Sequence, residues 1–246
     1  MKTVIFDLDG TLAESKSPLA KPMGLALKNL LKKRKVAIIS GGAWPQFESQ
    51  ILSRVKLTIA EKSNLYLMPT SGTSFYKFFG GIWNKVYSED LNHSEISQIE
   101  SAFNSLLADP NIEFPQKCWG NRLENRGTQV TFSVMGQNAP CEEKKSWDPT
   151  FSKRLTMIEK LSPLLKDFEI RTGGSTSIDV TRKGIDKSYG IKNLQKHLGI
   201  SLEEMLFVGD ASFPGGNDRA VYDMGVECIS TSGPKFTLQI INGMLK

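Results

Sequence analysis

The chain has 246 residues, of which 39% are hydrophobic, 23% charged and 9% aromatic, with a formal charge of +5; this excludes disorder, collagen-like repeats and a coiled coil, and leaves one large or two small globular domains. No apolar run is long enough to cross a bilayer, and Met1–Phe6 meets Asp7 before a signal-peptide core can form. Three widely spaced cysteines, Cys118, Cys141 and Cys228, make neither a disulfide framework nor a zinc site, so a reducing, cytoplasmic setting is expected.

In chain order, Thr3–Phe6 is a short apolar strand, and Pro22–Lys33 places Leu25, Leu27, Leu30 and Leu31 at helical spacing. That helix ends in Lys32-Lys33-Arg34-Lys35, a run that complements a helix carboxyl terminus. No aromatic residue interleaves the run, which argues against a nucleic-acid surface. Val36–Ile39 is a second strand stopped by Ser40-Gly41-Gly42, Trp44–Val55 reads as a helix, and Leu57–Ala60 and Leu65–Met68 as further strands. In the middle, Ser94–Leu107 and Phe151–Leu165 are helical. Trp119–Leu123, Gln129–Val134, Phe168–Arg171 and Ser177–Thr181 read as strands, with a hairpin around Asn125–Thr128. Residues 187–198, 205–208, 215–223, 226–229 and 234–245 resume the alternation of helix and strand. The expected fold is α/β: a discontinuous Rossmann-like parallel-sheet core over 1–81 and 186–246, with an α+β insert over 82–185. The insert carries 13 basic and 14 acidic side chains against 18 and 12 in the core, so the positive surplus lies on the core.

The stretch Phe6-Asp7-Leu8-Asp9-Gly10-Thr11 lies at the carboxyl end of the first strand, where open α/β sheets bind their ligands. Carboxylates crowded there call for a hard cation, Mg²⁺ in the first instance, and an aspartate can attack phosphorus. Taken singly, Ser40 reads equally as a helix cap, Lys187 as a solvated lysine, and Asp210 and Asp218 as turn acids. Their order on successive strand ends gives them weight. His93 and His197 have no partner at metal spacing, and the nucleophile elbow, the Walker loop and the dinucleotide fingerprint are all missing from the sequence.

Asp7-Leu8-Asp9-Gly10-Thr11 resembles the first motif of the haloacid dehalogenase superfamily of phosphotransferases. Ser40-Gly41-Gly42 resembles its second motif, Lys187 its third, and Gly209-Asp210 with Gly215-Gly216-Asn217-Asp218 its acidic fourth. The insert sits in the C2 cap position. Within that class Arg126-Gly127-Thr128, Gly173-Gly174, Ser177-Ile178-Asp179-Val180 and the run from Gly209 to Asp218 resemble the eukaryotic-type phosphomannomutases. The resemblance implies Asp7 as nucleophile and Asp9 as general acid and base, protonated near neutral pH. It also implies Mg²⁺ held by the Asp7 carboxylate, the Asp9 carbonyl and Asp210, with Asp218 on the ion or on its waters. Lys187, Ser40 and the Gly41 and Gly42 amides would cradle the phosphoryl group, Arg126, Ser177 and Asp179 would contact substrate in the cap, and a homodimer would form through the cap.

A mutase must also hold the far phosphate of its sugar, a task suited to arginine. The family's cap arginines fall here on Ser133, Gln137 and Lys144, with Arg122, Arg126, Lys144 and Lys145 as candidate substitutes. The expectation is therefore a Mg²⁺-dependent phosphatase of sugar phosphates or similar small phosphoesters. Interconversion of mannose 1-phosphate and mannose 6-phosphate is the alternative, and a non-catalytic phosphosugar-binding protein the third reading. The expected partner is a phosphorylated small molecule, neither nucleic acid nor membrane.

Overall fold

A computed structural model describes residues 2–213 and 216–246, which fall into two compact units, one of residues 2–88, 186–213 and 216–246 and one of residues 89–185. Pro214 and Gly215 of the expected fourth motif lie outside the described residues. In the first unit, strands β1 (Thr3–Asp7), β2 (Val36–Ile39), β3 (Leu65–Met68), β4 (Ser74–Phe79), β5 (Ile82–Ser88), β10 (Met205–Gly209) and β11 (Glu227–Ser230) form one sheet in the order β11-β10-β1-β2-β3-β4-β5. The first five strands of that order run parallel, and β4 and β5 are antiparallel additions. Strand residues alternate between two cores, as a pleat buried on both faces requires. Val4, Phe6, Val36, Ile38, Leu65 and Leu67 pack with Leu27 and Leu30 of helix α1 (Lys21–Leu31) and Ile241 of the last helix (Pro234–Leu245). Ile5, Ala37, Ile39, Met68 and Phe207 pack on the other side with Ile191 and Leu194.

Three expectations are corrected in this unit. Leu57–Ala60 is not a strand: helix α3 (Ile59–Ser63) starts there, because Thr58 and Glu61 form a reciprocal capping box. The helix expected over Trp44–Val55 is a short α-helical turn, α2 (Trp44–Phe47), running into a π-helical turn over Glu48–Leu52. The boundary expected at residue 82 moves to 88/89, since β4 and β5 form a hairpin on Gly80-Gly81, both at positive φ, that belongs to the first unit's sheet.

The second unit has an antiparallel sheet in the order β6-β7-β9-β8, from β6 (Leu123–Asn125), β7 (Val130–Ser133), β8 (Phe168–Thr172) and β9 (Ser177–Arg182). Phe132, Ile178 and Val180 on one face pack against Ile99 and Phe103 of helix α4 (His93–Leu107) and Met157 and Leu161 of a later helix (Ser152–Leu161). Thr131, Ser133, Ser177 and Asp179 alternate with them onto the opposite face. The strand expected over Trp119–Leu123 is reduced to β6, with Gly120 at φ 78 interrupting extended backbone. Helix α5 (Cys141–Trp147), between the two core-facing helices, was not expected; it buries no residue and so leaves no apolar period to read. The later helices in chain order are α6 (Ser152–Leu161), α7 (Lys187–Leu198), α8 (Arg219–Asp223) and α9 (Pro234–Leu245). No helix among the described residues is long and apolar enough to cross a membrane. All three cysteines are free thiols, and burial, then the charges of Asp218 and Glu227, push the Cys228 thiol up to about 11.

Candidate active site

Parallel register aligns three strand ends. Phe6 pairs with Val208 and Asp7 with Ile39, so Asp7 at the end of β1, Ser40 after β2 and Asp210 after β10 emerge at the same edge of the sheet. Lys187 is the first residue of α7, whose start is fixed by Asp186: its Oδ1 accepts the Ser188 and Tyr189 amides. Asp218 directly precedes α8.

These side chains converge. The Lys187 ammonium is 1% exposed and donates to Asp7 Oδ1 and to Asp218 Oδ1, each at 2.5 Å. Asp218 Oδ2 accepts the Ala211 amide at 3.0 Å. Oxygens of Asp7, Asp210 and Asp218 all lie within 4.8 Å of one another. Gly10, at φ +87, turns the chain where any Cβ would run into the Asp210 carboxylate. Burial raises the Asp7 pKa well above the usual carboxylate value; Lys187 opposes this, and Asp218 and Asp210 add to it. Asp210 is raised by burial and then by Asp218. Burial disfavours the Lys187 ammonium, but Asp218 and Asp7 outweigh it, and its pKa is raised. The centre thus brings three carboxylates to one lysine, an excess of negative charge that suits a divalent cation with hard oxygen ligands.

Asp9 stands apart from that cluster. Its Oδ1 accepts the Lys16 backbone amide at 2.7 Å and its Oδ2 accepts Gln46 Nε2 at 2.7 Å. The carboxylate expected as general acid and base is therefore held by two amide donors, the Lys16 backbone and the Gln46 side chain of α2. Ser40 is buried and its Oγ accepts the Gly42 amide at 3.1 Å, which leaves the hydroxyl proton as the donor. This alters the expected cradle, because the Gly42 N–H is turned onto Ser40. The loop is braced from β3: the Thr70 amide donates to the Gly42 carbonyl and the Ser71 amide to the Ser40 carbonyl. Thr70 and Ser71 both adopt positive φ to do so, a costly backbone for non-glycine residues.

In the second unit, Asp179 Oδ1 accepts Thr131 Oγ1 at 2.7 Å. Arg154, fully buried against Asp148, donates from Nη1 to the Gly173 and Gly174 carbonyls and so fixes the β8–β9 turn that leads to Ser177. Arg126 pairs with Glu124 at 2.7 Å. Arg122 donates to the carbonyls of Val134 and Pro115 and lies over the Phe114 ring. The Lys144 ammonium donates to the Gln137 carbonyl at 3.2 Å. The buried Ser133 hydroxyl has no hydrogen-bond partner among the described residues. Sequence reasoning missed Gln46, Gln50, Thr70 and Ser71. The spacing of Gln46 and Gln50, one helical turn apart just after the Ser40 loop, was the available signal.

The profile of the eukaryotic phosphomannomutase family matches residues 23–246. A phosphomannomutase of Encephalitozoon cuniculi (strain GB-M1) is 30% identical over 252 residues, covering 100% of this chain and 94% of its own. That of Saccharomyces cerevisiae is 24% identical over 244 residues, covering 97% and 92%. Among solved structures, an N-terminally truncated, IMP-bound Plasmodium falciparum IMP-nucleotidase aligns with a TM-score of 0.71 at 14% identity, covering 100% of this chain and 68% of that one. A Streptococcus mutans UA159 protein aligns with a TM-score of 0.65 at 14% identity, covering 99% and 98%. At those identities the two structures establish the fold alone, a haloacid dehalogenase core with an inserted second unit.

Proposed function

The chain belongs to the eukaryotic phosphomannomutase family, and we propose on that ground that it transfers a phosphoryl group to and from a sugar phosphate through Asp7, interconverting mannose 1-phosphate and mannose 6-phosphate. The observation that carries this reading is the buried contact of Lys187 with both Asp7 and Asp218 at the carboxyl edge of the parallel sheet. A carboxylate there has a cation beside it to offset the charge of an incoming phosphate.

In the first half-reaction an Asp7 oxygen forms a bond to one phosphorus of a hexose 1,6-bisphosphate while that ester's P–O bond breaks, leaving its electron pair on the sugar oxygen of a hexose monophosphate. Asp9 gives that oxygen a proton. In the second half-reaction Asp9 takes a proton from the free hydroxyl of a mannose monophosphate, whose oxygen bonds phosphorus as the Asp7 oxygen departs, restoring the bisphosphate. Lys187 and the Ser40 hydroxyl would hold the non-bridging phosphoryl oxygens, with the Gly41 amide beside them. Asp7, Asp210 and Asp218 would hold Mg²⁺, a role that their clustered oxygens support. When bound, the ion supplies positive charge to the phosphoryl oxygens. Arg126, Ser177 and Asp179 would recognise the sugar. A homodimer formed through the second unit remains part of the same proposal.

Hydrolysis by the same nucleophile is the second reading, with water in place of the second hydroxyl. It is favoured by the second unit's chemistry: Ser133 and Gln137 are neutral, and Arg122 and Arg126 are engaged by backbone carbonyls and Glu124. Incubation with mannose 1-phosphate, Mg²⁺ and a trace of hexose 1,6-bisphosphate separates the two. Mannose 6-phosphate without free phosphate is the expected result, whereas free phosphate alone would establish the hydrolase. Asp7→Asn is expected to abolish either product, and unchanged turnover by that variant would overturn both readings.

A further inference from the structure

Asp9 is held through a chain of side-chain amides whose orientation is dictated from outside the site. The Ser17 carbonyl can only accept, so Gln50 must present Nε2 to it, as it does at 2.7 Å. Gln50 is buried, and its Oε1 then faces Gln46, which must present Nε2 in turn, at 2.8 Å. The second hydrogen of that same Gln46 Nε2 points to Asp9 Oδ2, at 2.7 Å. Both Gln46 donor hydrogens are thereby committed, one to the anchor and one to the acid. The far side of the Gln46 amide lies against Gly42, where a Cβ would collide with Gln46 Oε1 and Cδ. The Ser40–Gly42 loop thus closes the space behind Gln46. The wider π-helical turn over Glu48–Leu52 follows directly, a form found frequently at functional sites.

We infer that Gln46 is a positioning residue for Asp9, aiming the carboxyl group that passes a proton to and from the bridging oxygen of the substrate. The inference rests on the reading of Asp7 as nucleophile and Asp9 as acid and base. It makes a specific demand: Gln46 matters in proportion to how much the leaving oxygen needs a proton. A sugar alkoxide cannot depart unprotonated, whereas p-nitrophenolate leaves as a stable anion. The bond made by Asp7 and the bond broken at phosphorus are the same for both esters, and only the proton differs.

The test compares wild type with Gln46→Met, which keeps the length of the side chain and removes both donors, on mannose 1-phosphate with Mg²⁺ and a trace of hexose 1,6-bisphosphate, and in the first-turnover burst of nitrophenolate from p-nitrophenyl phosphate with Mg²⁺, a step that precedes any proton uptake by Asp9 as base. The expected result is a loss of about tenfold to a hundredfold in kcat for the sugar phosphate, with its KM and the nitrophenolate burst rate each within about twofold of wild type. Gln46→Glu, which sets an acceptor where the donor stands, is expected to lose as much on the sugar and as little on the aryl ester. A retained nitrophenolate burst also certifies that the variants are folded. Equal losses on both esters would mean a structural or phosphate-holding role and would overturn the inference, as would wild-type rates on both. Wild-type protein inactive on both esters would instead remove the reading of Asp7 and Asp9 beneath it.

Discussion

Lys187 bridges Asp7 and Asp218, and all three side chains are buried. Such an ammonium permits two carboxylates to be packed together and, on the proposed reading, would offer charge to a phosphoryl group. Replacing it with methionine preserves volume but leaves an uncompensated pair of acids. Lys187→Met is expected to cost about 3–5 kcal/mol of stability, read as a lowered midpoint in urea, and to eliminate measurable phosphoryl transfer. The double variant Lys187→Met with Asp218→Asn separates these duties. It should recover part of the stability, because one buried charge is gone, and none of the activity. That Asp7, Lys187 and Asp210 come together was legible in the sequence because each sits at a strand end or helix start that local patterns mark. Gln46 and the Thr70–Ser71 brace were not, since what they do depends on loops brought together from distant parts of the chain.

At the scale of elements, strands flanked by helices were read almost to the residue: β2, β3, α7 and α9 begin and end where apolar periodicity placed them. Two of the errors share a physical cause. Thr58 and Glu61 make a helix out of a short apolar run, and the Gly80-Gly81 hairpin returns β5 to the first sheet; in both a local turn or cap overrode the pattern. A similar cap governs the second unit. Glu95 closes a capping box with Asn92 at the start of α4 and also pairs with Arg182 at the end of β9, tying helix to sheet. The Arg182 hydrogen bond, then the Asn92 amide, lower the Glu95 pKa to about 2 from 4.5. A lowered acid pKa stabilises the fold above the unfolded value and is lost as pH falls, so this contribution should be whole above pH 4.5 and vanish on approach to pH 2. Because the pair is partly solvated, Glu95→Gln is expected to cost only about 1 kcal/mol at neutral pH. The check is acid titration by circular dichroism: wild type and variant should converge in stability toward pH 2, and a constant difference down to that pH would refute the assignment.

At the scale of the whole molecule, the +5 charge resolves into a basic first unit built around an acidic centre. Lys187 offsets part of the charge of the three clustered carboxylates, and a divalent cation held there would offset the rest. Raised pKa values at Asp7 and Asp210 give the sign of the pH effect. Without metal the folded state holds those protons more tightly than the unfolded chain. Stability from these groups is therefore greatest below the ordinary carboxylate value near 3.8 and declines as pH rises through the raised one. A divalent cation binding only the folded, ionised centre should oppose that decline, contributing about 2.7 kcal/mol when present at about a hundred times its dissociation constant. Mg²⁺ is thus expected to raise the unfolding temperature, and by a larger increment at pH 8 than at pH 5, where protons compete for the same oxygens. Hydrogen exchange should locate the added protection in β1, β10 and the start of α7, with residues 89–185 unchanged. Asp218→Asn should shrink the increment, and an increment that persisted in that variant, or protection that spread evenly over both units, would show that the ion binds elsewhere.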